Sequence, residues 1–145
     1  HGLFDLAIRV HGDLQVDDHH TIEDTGIVLG SAIKETIGDK KGIRRYGSCI
    51  LPMDEVLVLC AIDLSGRPYF SWDAEFTSEK IGDMSTEMVK EFFYAISYSC
   101  GMKQCSKAFP KHWIRLFPMI HALQMYSLPR EVLHKEEIQP WQINY

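Results

Sequence analysis

No run of apolar residues in this 145-residue chain approaches the roughly 20 needed to cross a bilayer as a helix, which argues against a membrane-spanning helix. An excess of positive charge is also lacking. Lys and Arg number 15 against 20 Asp and Glu, and the net charge of −5 gives no overall field for nucleic acid or an anionic membrane. Cysteines are few, and Cys49, Cys60, Cys100 and Cys105 follow no metal-ligand spacing, which argues against a thiolate zinc cage. Cys60 sits in the apolar run from Val56 to Ile62, as a buried thiol in a reducing compartment would. A basic-then-apolar leader is absent, so the expectation is a soluble, cytoplasmic protein, or a plastid one if the source is a plant.

The content that is present suits one domain with a sizeable core. Leu3 to Val10 alternates partly between apolar and polar residues and reads as a strand entering a turn at His11-Gly12. From Thr21 the period lengthens: Ile22, Leu29, Ile33 and Ile37, with Gly26, Val28 and Ala32, form one helical stripe ending at Gly38-Asp39. Ile43–Leu51, Val56–Leu64 and Pro68–Phe76 read as three strands of an antiparallel meander. Ser85 then caps a second helix with Met88, Val89, Phe92, Phe93 and Ile96 inward, stopping near Gly101. Strands then a helix, twice over, make a two-part pattern of class α+β, with helices on one face of an antiparallel sheet.

The chemistry concentrates in Asp17-Asp18-His19-His20-Thr21-Ile22-Glu23-Asp24. On a helix, residues three or four apart share a face about 5–6 Å apart at Cβ, whereas neighbours diverge by about 100°. Glu23 therefore lies within reach of a metal held by either His19 or His20, while the two imidazoles are poorly placed to chelate one ion together. Two metals, or one metal plus a substrate, would satisfy the pattern. Nitrogen and carboxylate donors suit Mn²⁺, Fe²⁺ or Zn²⁺. The plainer reading is N-terminal capping by Asp17 or Asp18 with the histidines solvated. The cluster Lys40, Lys41, Arg44 and Arg45 reads either as a solvated loop or as a site for a small anion.

This His-His-x-x-Glu segment, with Gly12 to Gly30 around it, resembles the first signature of the imidazoleglycerol-phosphate dehydratase family. Gly38 to Gly47, Pro52-Met53-Asp54-Glu55, Asp63-Leu64-Ser65-Gly66-Arg67-Pro68-Tyr69 and Glu87 to Met102 resemble the same family in the same order. The resemblance implies a partial domain over residues 1–102 and a divergent tail over 103–145. It implies tandem half-domains of the ribosomal protein S5 domain 2-like kind, here incomplete, in a homo-oligomer whose sites are shared between subunits. It also implies a hydro-lyase that converts imidazole glycerol phosphate to imidazole acetol phosphate in histidine biosynthesis, with two Mn²⁺ per complete site acting as Lewis acids. Carried over residue by residue, His19, His20 and Glu23 would ligate metal, and Arg45 and Arg67 would hold the substrate phosphate. His1 would contact substrate, while His11 and Arg44 match no site position.

The pattern also departs from the family. A second His-His-x-x-Glu is not found, His112, His121 and His134 stand alone, and the carboxylate expected to act as catalytic base has no counterpart, leaving Glu23 only a metal-ligand role. Pro110, Pro118, Pro129 and Pro140 break up the tail. The competing expectation is a non-catalytic metal-binding or assembly variant of the same fold. Imidazoles turned to solvent far from Arg45 and Arg67 would leave the shape without the site.

Overall fold

The computed structural model describes residues 6–12, 15–53 and 56–109. Helix α1 spans His19–Ile37 and is followed by the strands β1, Tyr46–Met53, and β2, Val56–Asp63. Strand β3, Tyr69–Asp73, leads through a small hairpin of β4, Lys80–Ile81, and β5, Met84–Ser85, into helix α2, Glu87–Cys100, and the last strand is β6, Lys103–Phe109.

The four long strands form one sheet in the order β1-β2-β6-β3. β1 and β2 are the expected hairpin, paired from Tyr46 opposite Asp63 to Met53 opposite Val56. The meander stops there. β6 lies antiparallel to β2 and parallel to β3, so β3 occupies an edge and reaches β6 through the crossover that contains α2. Lys103–Phe109, expected to begin a divergent tail, is thus an inner strand of the sheet. The class is α+β as expected, and among the described residues both helices pack on this one four-stranded sheet. The expected first strand is not formed over Leu6–Val10, where Leu6, Ile8 and Val10 remain exposed; its beginning, the loop residues Asp54 and Glu55, and the tail beyond Phe109 lie outside the described residues.

Alternation decides which face of the sheet is covered. Val56, Val58 and Cys60 of β2 and Gln104, Ser106 and Ala108 of β6 point inward and are buried, in register with the period of two. They meet α2 through Val89, Phe93 and Ile96, and α1 through Ile37 with Leu29 and Ile33 at the margin. Of the inward residues foreseen on α2, Met88, Val89, Phe93 and Ile96 are buried and Phe92 is partly covered. Its N-cap is Thr86 rather than Ser85, and the Thr86 hydroxyl donates to the carbonyls of Ser78 and Glu79, tying the helix start to the preceding hairpin. Gly101 ends α2 in the left-handed conformation at φ 70°.

The two helices touch through glycine. A β-carbon on Gly26 would lie 2.8 Å from the Phe92 carbonyl oxygen and 2.9 Å from the Ala95 β-carbon; one on Gly30 would lie 2.7 Å from the Ile96 carbonyl oxygen. Both helices run the same way. The backbone N–H of Ser85, just before α2, donates to the Asp18 carboxylate just before α1 at 3.4 Å, and the residues following both helices, Lys40 and Gly101, lie against Gly66.

Candidate functional site

The His-His-x-x-Glu segment occupies the first turns of α1, as its spacing predicts. Asp17 accepts the backbone N–H of His19 at 3.0 Å, so part of the capping reading holds alongside any ligand role; Asp18 is the N-cap but makes no side-chain capping bond. His19 Nε2 stands 3.9 Å from Glu23 Oε2 one turn on, and both side chains are about half exposed. The His19 and His20 rings are 5.9 Å apart between centroids and inclined at 64°. Facing nitrogen and carboxylate donors have the chemistry to hold a divalent cation. They do not complete a site, because no group of three or more His, Cys, Asp or Glu able to hold a metal occurs among the described residues.

The expected phosphate ligands lie at the other end. Arg45 precedes β1 and Arg67 belongs to the turn before β3, beside Gly66, over which the Lys40 side chain extends. From His19 to Ile37, α1 is 19 residues long, which separates its first turn from this end by about 27 Å. The imidazoles are thus partly turned to solvent and remote from Arg45 and Arg67, so a single chain has the shape without a complete site. A substrate the size of a sugar phosphate cannot bridge that span, so a site using both groups requires donors from two chains or from residues beyond those described. His1 lies outside the described residues, as do His112, His121 and His134.

The cationic end is more organised than the sequence suggests. Arg45 Nε donates to Asp63 Oδ1 at 2.7 Å, Nη2 lies 3.4 Å from Oδ2, and the guanidinium carbon sits 4.8 Å from the centre of the Tyr46 ring. Asp63 is opposite Tyr46 on one side and Lys103 on the other, and Lys103 is opposite Tyr69. One row of the sheet's outward face therefore reads Tyr46, Asp63, Lys103, Tyr69. The hydrogen bond from Arg45 is the main reason the Asp63 carboxyl is held below the usual carboxylate range; desolvation opposes it, and the positive fields of Arg45, Lys103 and Arg67 add to the lowering. The same bond raises Arg45. Sequence reasoning missed Asp63 and Lys103. The available signal was the carboxylate opening Asp63-Leu64-Ser65-Gly66-Arg67, four residues before an arginine already singled out.

Comparison with known proteins gives the family of the chain. The sequence model of the family described as imidazoleglycerol-phosphate dehydratase matches residues 1–109, seven residues past the boundary expected from the motifs. The imidazoleglycerol-phosphate dehydratase of Lachnoclostridium phytofermentans is 72% identical over 102 residues, 70% of this chain and 52% of that protein. That of Acetivibrio thermocellus is 59% identical over 108 residues, 74% of this chain and 55% of the relative. The crystal structure of the Staphylococcus aureus enzyme superposes with a TM-score of 0.66 at 39% identity, covering 76% of this chain and 63% of that one. The chain spans about half the length of the curated relatives it matches. With that match over three-quarters of its residues, the chain belongs to the imidazoleglycerol-phosphate dehydratase family.

Proposed function

We propose that this chain contributes two half-sites of an imidazoleglycerol-phosphate dehydratase, the hydro-lyase that converts imidazole glycerol phosphate to imidazole acetol phosphate in histidine biosynthesis. The carrying observation is the His19–Glu23 pair, one turn apart on a half-exposed helix face, in a chain of this family.

At one end of α1, His19, His20 and Glu23 would supply donors to Mn²⁺, whose charge would stabilise electron density on the substrate's imidazole ring as a C–H proton leaves. At the other end Arg45 and Arg67 would bind the phosphate, which suits guanidinium because it meets phosphate with two parallel N–H bonds and keeps its charge at neutral pH. The length of α1 supports a reading in which the two half-sites serve different substrate molecules, each completed by a neighbouring subunit in a homo-oligomer. His1 would contact substrate at the edge of such a site. The base that removes the proton is supplied from outside the described residues.

The test is to load the chain with Mn²⁺ and follow formation of imidazole acetol phosphate, alone and with the separately expressed remainder of a full-length relative. Turnover that appears only with the remainder supports the reading. Turnover by the chain alone, unaffected by His19→Ala and Arg45→Gln, refutes it.

A further inference from the structure

Asp63 is placed to orient Arg45, and its role is set by which part of the guanidinium it occupies. A guanidinium offers two edges for a planar anion. Asp63 takes the edge formed by Nε and Nη2, at 2.7 and 3.4 Å, and the Tyr46 ring covers one face at 4.8 Å. What remains is the edge formed by Nη1 and Nη2, for which no acceptor occurs among the described residues apart from the 3.4 Å contact of Nη2 with Asp63. The pair is also poorly suited to a purely stabilising role. Arg45 is about half exposed, and ion pairs in contact with water contribute little to folding. A free arginine of this length samples many rotamers, and fixing one before the ligand arrives removes an entropic cost from binding. Placed between Arg45 and Lys103, with Arg67 close enough to act on it, the carboxylate also offsets the mutual repulsion of three cations.

We infer that Asp63 is the positioning residue of the phosphate half-site, holding Arg45 by its Nε edge so that the opposite edge meets the substrate's phosphate. This rests on the phosphate role proposed above for Arg45. It extends that role to a residue that touches the arginine rather than the substrate.

Removing Asp63 has two effects of opposite sign, because the loss of a negative charge strengthens anion binding while the loss of the tether weakens it. Two neutral variants separate them. Asp63→Asn removes the charge but keeps an oxygen able to accept from Nε; Asp63→Ala removes both. Binding of inorganic phosphate to the full chain is measured by calorimetry, together with the Arg45 Nε–H resonance and the unfolding midpoint, with Asp63→Ser replacing the alanine variant if that one is unstable. The expected result is that Asp63→Ala binds phosphate roughly threefold to tenfold more weakly than Asp63→Asn. The Nε–H signal should shift toward that of free arginine only in Asp63→Ala, and the affinity difference should vanish in an Arg45→Gln background. Equal affinities for Asp63→Asn and Asp63→Ala, with Arg45→Gln still abolishing binding, would overturn the positioning role and leave the phosphate reading intact. Phosphate binding that is absent from the starting chain, or unchanged in Arg45→Gln, would overturn both.

Discussion

Gly26 of α1 faces the Phe92 carbonyl of α2 with no room for a side chain: a β-carbon there would lie 2.8 Å from that oxygen. Gly30, one turn on, is as tightly placed against Ile96. Alanine at either position would gain about 1 kcal/mol in helix propensity. The obstacle is backbone rather than a movable side chain, so overpacking of about 1–3 kcal/mol wins. Gly26→Ala and Gly30→Ala should each lower the urea midpoint, whereas Ser31→Ala, on the exposed side of the same helix, should leave it unchanged or raise it slightly.

Gln104 is fully buried and bridges two hydroxyls. Ser97 donates to its Oε1 at 3.0 Å, and its Nε2 donates to Ser106 at 3.2 Å. Gln104→Ala would open a cavity and strip both serines of a partner. The expected loss is about 2–4 kcal/mol, read from chemical denaturation. Ser97→Ala in the same background should cost less than it does alone, because its partner has already gone.

Burial pushes the thiols of Cys60 and Cys100 up to about 11, and burial is the largest cause in each case. The folded chain therefore keeps these protons while the unfolded chain releases them above 9.0, the ordinary value. Stability present below pH 9 is lost as the pH climbs toward 11, on the order of 2 kcal/mol per thiol. Denaturation curves across that interval should fall more steeply for the unaltered chain than for a Cys60→Ala, Cys100→Ala double variant. Exposed Cys105 should react with an alkylating reagent well before either buried thiol.

A pair of half-exposed donors holds a metal weakly, because few bonds are available to offset the ion's hydration. Changes to groups merely supporting a ligand already cost tenfold to a hundredfold in affinity. His19→Ala and Glu23→Ala should therefore each weaken Mn²⁺ binding on the order of tenfold or more. His11→Ala should not. Electron paramagnetic resonance of free Mn²⁺ reads this directly, and equal affinity in all four proteins would remove His19 and Glu23 from the ligand set.

Much of the fold was legible where one physical signal dominated. The 3.6-residue period marked α1 and α2, and the apolar runs on either side of Pro52-Met53-Asp54-Glu55 marked β1 and β2. β6 was not legible, because its inward positions carry Gln104 and Ser106, whose polarity is acceptable only once Ser97 is known to face them. The parallel pairing of β3 with β6 depends on contacts some 34 residues apart in sequence, which no local pattern encodes. For the site, helical spacing correctly put Glu23 beside His19. It gave no warning that Arg45 and Arg67 lie at the far end of α1, since chain distance says nothing of direction once two helices run side by side.

That end-to-end separation has a genetic corollary. If each catalytic centre draws its metal donors from one molecule and its phosphate donors from another, a His19→Ala chain and an Arg45→Gln chain, each inert even when supplied with the remainder of a full-length relative, can restore some intact centres when co-expressed with that remainder. The rescued activity would rise with the square of protein concentration at high dilution, and a strain carrying both alleles in a full-length gene would grow without histidine where neither parent could.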